Sequence, residues 1–82
     1  MTLSVFDVIG LAGVLLQLVT YGFTVAGRFS AAAPPALLAN LTGSCLVLIS
    51  LSRDFNLSAA VIEAAWALIA LGGLARWAQV RR

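Results

Sequence analysis

The sequence predicts an all-α integral membrane protein, three transmembrane helices in an up-down-up bundle with short loops. Three observations carry this. Of the 82 residues, 62% are hydrophobic and only 10% are charged, against about a quarter charged in a soluble domain. The mean hydropathy is +1.07, and this composition has too little polar surface for a water-exposed domain. Three apolar segments of about twenty residues, the length that crosses hydrocarbon as a helix, follow one another with short breaks between them. Backbone polar groups in lipid must be satisfied within the segment, so a spanning segment of this length is a helix.

A single transmembrane domain over residues 1–82 is expected, with spans at about 8–27, 34–52 and 58–77. Before the first span, MTLSVFD has no basic residue and carries an acid, so it does not read as a signal peptide. Residues 28–33 lead into Pro34-Pro35, where proline suits a first helical turn because its missing N–H is not needed there. Residues 53–57 link the second and third spans, and Asn56 or Ser58 can cap the third helix. Links this short make successive helices antiparallel neighbours. Phe6, Phe29, Phe55 and Trp77 fall at span ends, where aromatic belts sit.

Arginines set the expected orientation. The first loop and the C-terminus share a side and hold Arg28, Arg76, Arg81 and Arg82. The other side holds Arg53 beside Asp54, together with Asp7. The excess of arginine places the C-terminus in the cytoplasm and the N-terminus outside. Arg28, Arg76, Arg81 and Arg82 are candidate anchors for anionic lipid headgroups, each contributing about 1 kcal/mol near the surface.

Composition also excludes functions. The net charge of +2 is too small and dispersed for a nucleic-acid footprint. No histidine is present, which removes the commonest metal ligand and general base. The single cysteine, Cys45, allows no intrachain disulfide and no zinc or iron–sulfur spacing. With no lysine, phosphate-cradling loop or neighbouring carboxylates, no catalytic constellation forms. Neither an enzyme nor a metal or cofactor is expected, although a lipid, quinone or carotenoid resting on Trp66, Tyr21 or Trp77 stays compatible.

Each span gathers its small and polar residues at helical spacing. The first carries Gly10, Gly13, Gln17, Thr20, Tyr21, Thr24 and Arg28, opposite Leu11, Leu15, Leu16, Val19 and Phe23. The second carries Ala36, Asn40, Gly43, Ser44, Val47 and Ser50. The third carries Ala59, Glu63, Trp66, Ala67, Ala70, Gly73 and Trp77. Small residues let helices approach, and polar ones hydrogen-bond across the gap. Gln17, Tyr21, Asn40, Gly43, Ser44, Glu63 and Trp66 are therefore the candidate helix-packing or partner-interface residues. Gln17, Asn40, Ser44 and Thr20 read first as packing glue, at about 0.6 to 2 kcal/mol for each bond. Glu63 is an ionisable group in an apolar span, a feature usually kept for a reason. It could hydrogen-bond to Gln17 or Ser44, pair with Arg53 or with a partner's cation, or carry a transported proton.

The segments Asn40-Leu41-Thr42-Gly43, Leu48-Ile49-Ser50-Leu51, Asn56-Leu57 and Val61-Ile62-Glu63-Ala64-Ala65-Trp66 carry a family likeness. From Asp7 to Trp77 the chain resembles a family of small bacterial three-span membrane proteins of unknown function, some labelled permeases. That pattern has an asparagine and a glycine early in the second span, an asparagine in the next loop and a tryptophan in the third span. Asn40, Gly43, Asn56 and Trp66 stand in those places. The resemblance implies a bacterial cytoplasmic-membrane setting and brings no activity with it. Three-span half-transporters for sugars are of similar length, but they carry a proline-glutamine pair in the first span that is missing here.

Two functions follow as expectations. The first is a non-catalytic accessory or structural subunit of a larger bacterial membrane complex (respiratory, photosynthetic or transport), with lipids and other integral membrane subunits as partners. The second is a homo-oligomeric small transporter or channel, partnered by copies of itself, with Glu63 in the path. Three helices enclose no substrate cavity alone, so the second needs at least a dimer.

Overall fold

The computed structural model describes residues 3–81, and for Arg81 the backbone alone. It contains three helices, α1 (Val5–Val25), α2 (Pro34–Leu51) and α3 (Leu57–Arg81). Each is long and apolar enough to cross a membrane.

Local chemistry sets the helix limits. The Asp7 N–H donates to Ser4 Oγ at 3.1 Å, and the Ser4 N–H donates to Asp7 Oδ2 at 3.0 Å. This reciprocal capping box satisfies two donors that a helix start leaves open. It starts α1 before the apolar segment expected from about residue 8, because Asp7 belongs to the helix and its charge suits the N-terminal dipole. α1 ends at Val25 because Gly27 takes φ +80°, a conformation that a side chain disfavours. The Arg28 N–H reaches Phe23 O at 2.9 Å and the Gly27 N–H reaches Thr24 O at 3.1 Å, the paired closure of a Schellman end. Phe29 then packs edge-on against Phe23, with ring centroids 6.2 Å apart.

α2 has Pro34 and Pro35 in its first turn and no side-chain cap. α3 is capped by Asn56, whose Oδ1 accepts from the Ala59 N–H at 3.0 Å. At 25 residues it is about 37 Å long, longer than the roughly 30 Å of bilayer hydrocarbon. It runs past the expected end at Trp77 because Ala78-Gln79-Val80 contains no glycine or proline to stop it.

α2 packs against both other helices, while α1 and α3 make no close backbone approach among the described residues. The α1–α2 contact is built on missing side chains. A Cβ on Gly13 would lie 2.6 Å from the Gly43 carbonyl oxygen, and one on Gly10 would lie 2.6 Å from Ser50 Oγ. Partner numbers fall along α2 as they rise along α1, from Gly10 with Ser50 to Gln17 with Gly43. On α3, Gly73 receives the Leu37 side chain, with Cδ2 at 3.0 Å from its would-be Cβ. The interior therefore holds small and polar groups, with Ala36, Leu37, Val47 and Ala70 as its apolar part. Leu11, Leu15, Leu18, Leu68 and Ile69 face outward. This inverts the soluble pattern and matches helices that meet through small residues in lipid.

Gly13→Ala should destabilise the fold by about 1–3 kcal/mol, since the added methyl meets backbone. Gly22→Ala, which enters open space, should be neutral or stabilising by up to about 1 kcal/mol. Reversible unfolding in bicelles measures both, and equal effects would contradict the close α1–α2 approach.

Candidate functional site

The site is built around one carboxamide. Gln17 leaves α1 opposite Gly43, and a Cβ on Gly43 would lie 2.6 Å from Gln17 Cγ. The bare glycine is thus the gap through which the Gln17 side chain crosses α2. Beyond it, Gln17 Nε2 donates to Ser44 Oγ at 3.0 Å and to Glu63 Oε1 at 2.9 Å. One amide group thereby joins all three helices. Gln17 is 8% exposed and Ser44 0%, while Glu63 is half-buried. Buried amide donors left unpaired would each cost roughly 1–3 kcal/mol. No fully buried side-chain polar atom among the described residues lacks a partner.

Of the readings open for Glu63, the structure places it on Gln17. The Arg53 guanidinium lies over the Phe6 ring instead, 5.6 Å from its centroid, a cation–π contact at the same end of the molecule. Thr20 does not act as glue between helices. Its hydroxyl donates to Leu16 O at 2.7 Å, and Thr24 likewise donates to Thr20 O at 2.9 Å. The carbonyl four residues back on the same helix lies within ready reach of a threonine hydroxyl, and the proton goes there.

Beside the cluster lies a cleft of about 270 Å³ walled by residues of all three helices. Tyr21, Leu37, Asn40, Trp66, Ile69 and Ala70 form most of its wall. Tyr21 is 63% and Trp66 41% exposed, and Asn40 is half-buried. The side chains of Tyr21, Asn40 and Trp66 make no hydrogen bond among the described residues. The candidate interface residues therefore separate into two groups. Gln17, Gly43, Ser44 and Glu63 pack within the chain. Tyr21, Asn40 and Trp66 face the cleft.

Arg28 and Arg76 are exposed beyond the end of α1 and near the end of α3. The Arg81 side chain and Arg82 lie outside the described residues. Among the described residues no group of three His, Cys, Asp or Glu side chains could hold a metal, and Cys45 is free and exposed on the outer face of α2. Sequence reasoning missed Leu37 as the knob that fills Gly73. The glycine was a visible signal, but its partner depends on how α2 is rotated.

Fold and site together define a small all-helical protein whose three apolar helices are clasped by a buried Gln–Ser–Glu cluster. A protein-family model of uncharacterised type matches residues 6–82, and the chain belongs to that family. No curated protein and no solved structure matches the chain.

A double-mutant cycle on Gln17→Leu and Glu63→Leu should give a coupling of about 0.6–2 kcal/mol, the range for such bonds in membranes. Glu63→Gln should keep most of it, since its amide oxygen still accepts from Gln17. Additivity within about 0.5 kcal/mol would show that this bond adds nothing.

Proposed function

We propose that the protein is a non-catalytic, multi-pass accessory subunit of a larger assembly in the bacterial cytoplasmic membrane. Its helices cross up-down-up, with the N-terminus outside and the C-terminus in the cytoplasm. The observation that carries the reading is the contrast among its helical glycines. Gly10, Gly13, Gly43 and Gly73 are filled by neighbours within the chain, whereas Gly22 and Gly72 have nothing within 4 Å of a would-be Cβ. A glycine inside a helix costs about 0.5–1 kcal/mol relative to alanine, and in lipid its use is close approach by another helix. Gly72 lies on α3, whose backbone comes close only to α2 among the described residues, and α3 has a long outward face. The hydrogen bond from Gln17 favours Glu63 as a tie within the chain over Glu63 as a translocated-proton carrier.

Gentle extraction into nanodiscs followed by native mass spectrometry should find stoichiometric company with other membrane proteins. Gly72→Leu should lose that company while its unfolding midpoint is unchanged. A discrete homo-oligomer with no other protein would overturn the reading in favour of a transporter, for which Glu63→Gln should abolish flux.

The arginine distribution makes a separate prediction. A green fluorescent fusion at the C-terminus should fluoresce, and an alkaline phosphatase fusion there should be inactive. The reverse pattern would invert the orientation.

A further inference from the structure

Asn40 has no use within the fold described so far. It stands six residues into α2, about 9 Å along the helix from Pro34. In a membrane-crossing helix that depth is largely out of reach of water. A carboxamide there without a hydrogen bond is costly, and Asn40 has no partner among the described residues. It lines the cleft with Tyr21 and Trp66, in the same condition.

We propose that the cleft between α1 and α3 binds one amphiphile per chain, a lipophile whose hydrogen-bond-accepting carbonyl is held by Asn40. Three properties of the cleft select this occupant. Its unpartnered groups can all donate: the Tyr21 hydroxyl, the Asn40 amide and the Trp66 indole, which can only donate. The Asn40 and Tyr21 oxygens can also accept, but the indole can be met only by an acceptor, and no carboxylate lines the cleft to call for a cation. The remaining wall includes Leu37, Ile69 and Ala70, which suits an apolar chain. The volume of about 270 Å³ is just below the roughly 300–1,000 Å³ of small-molecule pockets. It admits a ring-sized head or a length of chain. A transmembrane helix, about 10 Å across with its side chains, is too thick. The same chemistry is offered by the ester of a glycerolipid and by a quinone. The proposal needs the helices to cross a membrane, as in the reading above, and does not need a protein partner.

The test uses the full chain extracted in mild detergent. Native mass spectrometry should find one small molecule retained per chain, and its mass separates a glycerolipid from a quinone. The delipidated protein is then titrated with decylubiquinone or with dioctanoylphosphatidylcholine, reading Trp66 emission in a Trp77→Phe background. One of these probes should saturate at one per chain, and Asn40→Leu should weaken it about tenfold. Ile69→Trp keeps every polar group and fills the opening. It should lose the retained molecule at unchanged helix content, which holds the test open if Asn40→Leu fails to fold. Saturation by neither probe, equal binding by Asn40→Leu, or a cleft crosslinked to another protein through Trp66 would each overturn the proposal. Absence of a protein partner would sink the accessory-subunit reading and leave this one standing.

Discussion

The hydrogen bonds from Gln17 to Ser44 and Glu63 are the constraint on which the rest of the structure depends. α1 and α3 both lean on α2 without approaching each other's backbone. The Gln17 amide reaches across α2 and fixes α3 relative to α1. In lipid no hydrophobic effect drives helices together, so directional bonds and close van der Waals contact do most of the selecting. A bond of about 0.6–2 kcal/mol is small in absolute terms. It matters here because it acts between two helices whose backbones make no close approach among the described residues.

That bond in turn needs the glycines. Gly13 lets α1 meet the Gly43 carbonyl, and Gly43 lets the Gln17 stem pass. The polar cluster and the close packing are thus one feature. A methyl at residue 43 would displace the amide as well as the helix. Where the small residues give way to Tyr21 and Trp66, the cleft lies open.

This division shapes the functional reading. The Gln17 Nε2 donors are both spent, on Ser44 and Glu63, so an outside partner has less to recruit from this cluster. Gly22, Gly72, Tyr21, Asn40 and Trp66 are left without internal use, and they are the surfaces on which the proposed binding would act. The large apolar side chains elsewhere on the perimeter, such as Leu15, Leu18 and Leu68, form the outward apolar surface of helices long and apolar enough to cross a membrane.

The amino-acid sequence by itself determined the number of helices, their apolar length and the inward face of α1. These follow from composition and from a 3.6-residue period, both local properties of the chain. The buried positions Gly10, Gly13, Gln17 and Thr20 fall on the stripe their spacing marks out. Pro34 at a first turn was equally legible, and the cap of α3 was narrowed to Asn56 or Ser58, of which the structure uses Asn56, because capping chemistry acts over a few residues. Helix ends were less so: Ser4 with Asp7, and Gly27 at its left-handed φ, moved both ends of α1. Only the tertiary structure decided that Glu63 meets Gln17, that Thr20 turns back on its own helix, and that Asn40 and Trp66 face a cleft. Each depends on helix rotation and on distances between residues remote in sequence. A change of one or two ångströms there makes or breaks a hydrogen bond, and no local pattern encodes it.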